Sequence, residues 1–160
     1  MAICKIEDLR SNIPQGARLL GLDVGDRTIG LAISDSGFSV ASPIGTVRRT
    51  KFQVDATELL RIIDEKEVGG LVVGLPINMD GSEGPRAIST RQFVFNLLDR
   101  RDLPVAFWDE RLSTMAVERA MIAADLSRRK RAKRVDTAAA AYILQGALDR
   151  ISWGTRPSWD

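Results

Sequence analysis

Apolar positions along this 160-residue chain change period several times, and each change marks a boundary between elements. "ARLLGLDV" (17–24) is a nearly continuous apolar run and predicts a strand. "GDRT" supplies a tight turn, and "IGLAISD" reads as the hairpin partner. After the Asp35-Ser36-Gly37 turn, "FSVASPIGTV" predicts a third strand, with Pro43 marking a sheet edge or a bulge. From Phe52 the period lengthens. Ala56, Leu59, Leu60 and Ile63 recur at i, i+3, i+4 and i+7, which predicts a helix running to a Gly69-Gly70 stop. "LVVGLP" has no polar interruption, as expected for a strand covered on both faces. A Gly/Pro-rich loop, "PINMDGSEGPR", leads into a helix from about Ala87 to Arg100, and "LPVAFWDE" predicts the fifth strand. Ser113 or Thr114 can cap a helix carrying Val117, Ala120, Met121 and Ala124 on one face. A last helix is expected from about Val135 to Arg150, followed by the aperiodic tail "ISWGTRPSWD".

This order predicts a single α/β domain over residues 1–160, with a core over about 18–150, a lead-in over 1–17 and a tail over 151–160. The sheet should be mixed and five-stranded. Strands one to three would be antiparallel, with strands four and five joining parallel to strand one through right-handed crossovers, and helices flanking the sheet. The apolar runs are too short to cross a bilayer, and "MAICKIEDLRSNIP" lacks the apolar stretch of a signal peptide, so a cytoplasmic protein is expected.

Composition then narrows the chemistry. There is one cysteine, Cys4, and no histidine. That excludes an internal disulfide, Ser-His-Asp and Cys-His catalysis, and His-ligated zinc. Carboxylates, hydroxyls, Lys, Arg or a bound ion remain. The net charge is +2, but "RRKRAKR" (128–134) places six basic residues in seven positions. Arg128, Arg129, Lys130, Arg131, Lys133 and Arg134 form either a solvated loop or a patch that contacts nucleic-acid phosphates. Arg111 is a weaker candidate for the same contact.

Asp23 is the residue out of place, a carboxylate within an apolar strand, where an unpaired charge is expensive. In sheets of this kind the functional crevice lies beyond the C-terminal ends of the parallel strands. Asp23 stands near the end of strand one, Glu110 at the end of strand five, and Asp136 in the first turn of the predicted last helix. Oxygen ligands at that density suit Mg²⁺ or Mn²⁺, and two such ions about 4 Å apart are a standard device for phosphodiester cleavage. Of the neighbours Asp109 and Glu110, only one can face inward. Glu110 is the favoured ligand, with Asp109 solvated or paired with Arg111. The bland alternatives are a turn buttress for Asp23 and a favourable helix-terminal charge for Asp136.

Four segments, "GLDVGDRTIGLAISD", "VVGLPINMDGSEGPRA", "DERLSTMAVERAM" and "RVDTAAAAYILQGAL", resemble the signature blocks of the YqgF family over roughly residues 18–150. These are bacterial proteins described as pre-16S ribosomal RNA nucleases, with an RNase H-like fold related to the Holliday junction resolvases. The resemblance implies a metal-dependent endonuclease using one or two Mg²⁺ or Mn²⁺ ions, with Asp23, Glu110 and Asp136 as metal ligands and catalytic residues. It implies nucleic acid as partner, precursor ribosomal RNA before branched DNA, with ribosome or homodimer association open. Two departures from the resolvase pattern stand out. Strand four carries no acid, so Glu110 must reach in from strand five, and the position three residues after Asp136 is Ala139. A DNA junction resolvase and a non-catalytic ribosome-assembly factor remain the alternative readings.

Overall fold

The computed structural model describes residues 3–111 and 128–154, the side chains of 128–137 and 153–154 excepted. Its elements are a 3₁₀ turn at Ile6–Asp8, α1 (Leu9–Asn12), β1 (Arg18–Val24), β2 (Thr28–Ser34), β3 (Ala41–Arg48), α2 (Phe52–Glu65), β4 (Val68–Leu75), α3 (Pro85–Arg100), β5 (Val105–Asp109) and α4 (Arg128–Gly154). The expected helix after Ser113 or Thr114, the tail beyond residue 154 and the side chains of Trp153 and Trp159 lie outside the described residues.

The five strands form one sheet in the order β3-β2-β1-β4-β5. β1 pairs antiparallel with β2, and β2 with β3. β1 and β4, and β4 and β5, pair parallel. The mixed sheet is therefore as the periodicity predicts. β3 is the edge strand, and the register slips where Leu31 faces Gly45 but Ala32 faces Pro43. Pro43 thus sits at an edge and a bulge together, the two places where its missing N–H costs least.

Both faces of the sheet are covered. One carries Leu20, Leu22, Leu71 and Val73 against Ala56, Leu59 and Ile63 of α2 and Phe93, Val94 and Leu97 of α3. The other carries Leu19, Val72 and Ala106 against Ile143, Leu144, Ala147 and Leu148 of α4. The second layer also holds Ile6 and Leu9, so the lead-in is part of the core. Cys4 N–H donates to the Val105 carbonyl at 2.8 Å, which fastens the lead-in to β5.

Three expectations need correcting. Gly69 and Gly70 lie inside β4 and do not stop α2. The turn is made by Glu67, which holds φ at 56°. The third strand begins at Ala41 and not at Phe38, whose positive φ of 58° and buried ring belong to the preceding turn. The last helix begins by Arg128, so the basic run is helical and Asp136 stands well inside α4, not in its first turn. Arg, Lys and Ala are strong helix formers, and that preference wins over the loop reading.

Candidate active site

Strand alternation puts Leu19, Gly21 and Asp23 on the face of β1 that meets α4. The helix lies directly on the strand there. A Cβ added at Gly21 would stand 2.8 Å from Leu144 Cβ and 3.0 Å from the Ala140 carbonyl oxygen. The C-terminal end of α4 packs at the opposite edge of the sheet, where Ile151 joins Ile6 and Arg150 Nε donates to Glu7 Oε1 at 2.7 Å. The N-terminal turns of α4 therefore run toward the edge where β1, β4 and β5 end. Residue 136 lies one turn before Ala140 in that direction.

Along this edge the register places Gly74 opposite Trp108, and Leu22 opposite Val73, so Asp23 is next in line beside Gly74. Glu110 follows β5 directly. Its side chain crosses over β4 and bonds to Asp23 on β1. The crossing depends on Gly74, because a Cβ there would stand 2.8 Å from Glu110 Oε1 and 2.9 Å from Glu110 Cγ. One bare position on the central strand lets a carboxylate from β5 meet one from β1.

The electrostatics of the pair follow from its setting. Burial pushes the Glu110 carboxyl up to about 8, and its bond to Asp23 and the nearby Asp23 charge push the same way. Arg86, in the first turn of α3, pulls in the opposite direction. A shared proton relieves two like charges at neutral pH, and a cation could take its place. The neighbour Asp109 has a different fate. Arg111 Nε lies 3.0 Å from both Asp109 oxygens and Nη2 lies 2.6 Å from Oδ2, which holds Asp109 below the usual carboxylate range.

Arg111 also donates through Nη1 to the carbonyls of Asn78 and Met79, at 3.4 and 3.3 Å. It therefore ties the β4–α3 loop to the end of β5. Within that loop Asn78 N–H donates to the Ser82 carbonyl, and Asp80 accepts from the Ser82 N–H and hydroxyl. Asp35 likewise accepts from the N–H groups of Ser39 and Val40. These acids serve the backbone of their own turns.

The structure thus brings Asp23 and Glu110 together and turns Asp109 and Arg111 toward each other. Among the described residues no group of three Asp, Glu, Cys or His gathers. The side chains of Asp136, Arg128, Arg129, Lys130, Arg131, Lys133 and Arg134 lie outside the described residues. Two participants escape a reading of the sequence. Gly74 is visible only as the lone glycine in "LVVGLP", and Arg86 only as the cation at the start of α3.

The chain is 57% identical over 159 residues to a protein of Rhodospirillum centenum named "Putative pre-16S rRNA nuclease", covering 96% of this chain and 85% of that one. It is 59% identical over 151 residues to a protein of the same name from Chelativorans sp., covering 94% of each. Its fold is similar to that of T. thermophilus RuvC in complex with Holliday junction substrate. The TM-score is 0.54 at 12% identity, over 85% of this chain and 96% of that one. In keeping with the resemblance of its four motif blocks to resolvase-related nucleases, a sequence model described as "RuvX: Holliday junction resolvase" matches residues 17–150, and the chain accordingly belongs to the RuvX family.

Proposed function

We propose that this chain is a divalent-metal-dependent endonuclease that hydrolyses phosphodiester bonds in the precursor of 16S ribosomal RNA. The observation that carries the reading is the Asp23–Glu110 carboxylate pair, assembled across Gly74 at the edge where β1, β4 and β5 end. The names of relatives at 57% and 59% identity support the substrate.

The residues fit a hard cation. Asp23 and Glu110 offer carboxylate oxygens in a partly buried setting, which is the donor type that Mg²⁺ and Mn²⁺ select. Asp136 is the third expected ligand, on the helix whose first turns run toward the same edge. The ion would supply an activated water and neutralise charge on the phosphate, a task for which this chain has no histidine. Asp23 and Glu110 would hold the ion against the sheet. The α4 layer shields one side of the pair, and Arg86 brings a positive charge to its rim, where it would orient a phosphate oxygen without reading sequence. Arg111 acts indirectly by pinning the β4–α3 loop, which leads into the turn that carries Arg86.

Purified protein with Mg²⁺ or Mn²⁺, offered precursor ribosomal RNA, single-stranded DNA and a four-way DNA junction in parallel, tests the reading. The RNA should be cut, and Asp23→Asn should abolish the cut while the protein stays folded. The expected loss exceeds the about 10- to 100-fold seen when only a residue behind a metal ligand is changed. Without metal and above about pH 8, where the shared proton is lost, this variant should melt at or above the wild-type temperature, because a like-charge conflict has been removed. The family model's own description favours junction DNA as the second reading, so preferential cutting of the junction would replace the RNA assignment. Cleavage that survives exhaustive EDTA would remove the metal from the scheme.

A further inference from the structure

A second feature lies at the same edge of the sheet, on the face opposite α4. The link from β3 to α2 reads Arg48-Arg49-Thr50-Lys51, three cations in four positions. It is fixed close to the carboxylate pair. Arg49 N–H donates to the Arg27 carbonyl at 2.8 Å, and Arg49 Nη1 donates to the Gly25 carbonyl at 2.7 Å, two residues beyond Asp23. Asp55, buried in the first turn of α2, accepts from the Thr50 N–H and hydroxyl and holds the link from its other side.

Beside this basic lip, between α2 and α3, opens a groove of about 600 Å³. Phe52 and Phe93 line its base, with ring centroids 5.4 Å apart and nearly perpendicular planes; Phe93 is buried and the Arg100 guanidinium lies 5.7 Å from the Phe52 ring. The Arg49 guanidinium stands 5.3 Å above the Phe93 ring. One wall is a polar stripe on α3 formed by Ser89, Gln92 and Asn96. Gln92 Nε2 donates to Asn96 Oδ1 at 2.9 Å along this stripe. Pro85, in the lining of the groove, precedes Arg86, whose charge acts on Glu110.

We propose that this groove seats one or two unpaired bases of the RNA strand whose phosphate reaches Asp23 and Glu110. The volume is that of a small-molecule site and accommodates a base with its sugar. With both rings covered, the stacking surface is the Arg49 guanidinium plane, held over the buried Phe93 ring beside a cationic lip; unpaired bases stack on such planes. Neutral amides along the wall suit the donors and acceptors of a base edge, which a stacked duplex keeps out of reach. The inference rests on the nuclease reading for which strand is held, and it adds that the strand is unpaired beside the cut.

Fluorescence anisotropy in EDTA, with a short single-stranded RNA and an RNA duplex of equal length, separates the two ideas because binding requires no cleavage. Wild type should prefer the single strand. Gln92→Ala with Asn96→Ala, and separately Ser89→Trp to fill the groove, should each weaken single-strand binding about fivefold to tenfold and leave duplex binding unchanged. These positions are at the protein surface, and a thermal melt confirms the fold of each variant. Unchanged single-strand affinity in both variants would overturn the proposal, as would equal losses on both RNAs, which would mean a general phosphate surface. Specific binding by a protein that cuts nothing would retain the groove and remove the nuclease reading. Cleavage with no effect of the groove variants would do the reverse.

Discussion

Strand β4 has glycines at both ends, and the two ends do opposite things. At its N-terminal end, a Cβ on Gly69 would stand 2.6 Å from Ala17 Cβ, and one on Gly70 would stand 3.0 Å from Ile13 Cγ2. There the missing side chains let the lead-in close over the sheet. At the C-terminal end, the missing side chain of Gly74 admits the Glu110 carboxylate. One end is closed by apolar packing alone, while at the other the space is shared by the Ile143 tip and the Glu110 carboxylate. The same residue type in one strand serves stability at one edge and chemistry at the other, and only the identity of the crossing atoms tells them apart.

Substitution at each end separates the two roles. At Gly74 the atoms in the way are the tip of Ile143 and the end of Glu110, both on flexible side chains. Gly74→Ala should therefore fold with little loss of melting temperature while displacing Glu110 from Asp23. Cleavage should fall by about 10- to 100-fold, the range for disturbing the support of a metal site. Wild-type turnover in this variant would show that the crossing is not needed. At Gly69 the obstacle is the Cβ of Ala17, which cannot rotate away. Gly69→Ala should cost about 1–3 kcal/mol of stability through overpacking. Its activity per folded molecule should stay at the wild-type level. A denaturant titration of both variants, paired with the cleavage assay, reads the contrast directly, and it fails if the two effects coincide.

Much of this layout can be read in the sequence, because it rests on local periodicity. The five strands, α2 and α3 follow from changes between runs, alternation and a 3.6-residue period. Asp23 stands out as a charge among apolar neighbours. What escapes depends on contacts between distant segments. Gly69-Gly70 has the local form of a helix stop, and the need for it comes from Ala17 and Ile13 some fifty residues earlier. The separate fates of Asp109 and Glu110 depend on which face of β5 meets α4, and the sequence alone does not set that phase. The helical state of residues 128–134 was within reach, since helix propensity there outweighs the charge run.

The proton between the carboxylates offers a gentler probe of the Gly74 end. Glu110 rises from 4.5 to about 8 on folding, through burial first and the bond to Asp23 second. A raised acid binds its proton more tightly in the folded state, so that contribution to stability is complete below about 4.5 and is lost as pH climbs through about 8. Melts in EDTA should accordingly fall across this window in wild type and flatten in Glu110→Gln. Saturating Mg²⁺ should raise the wild-type melt most at the alkaline end, where the proton no longer competes. Equal slopes in wild type and Glu110→Gln would mean that this carboxyl does not carry the titration.

The smallest effect concerns the basic run, which belongs to the Gly74 end of the sheet if it guides substrate there. Placement in α4 changes what substitution should do. Successive helix positions turn by about 100°, so four consecutive residues cannot all meet one phosphate backbone. Arg128 and Arg131 share one side of the helix, and Arg129 and Lys133 share another. Each double substitution to Ala keeps helix propensity high, so folding should be unaffected. If the run meets phosphates, removing the pair that faces them should lower the slope of log K against log salt by about 1.4–1.8, at about 0.7–0.9 for each cation. The other pair should leave the slope nearly unchanged. The weakening should be equal for RNAs of different sequence, because phosphates carry no base information. Turnover at saturating substrate should hold, because neither pair includes a carboxylate of the site. Titration of one RNA at several salt concentrations with wild type and the two variants resolves the sides. Parallel slopes for all three would make the run a solvated stretch of helix, and the basic lip at residues 48–51 would then be left to draw the strand toward Asp23.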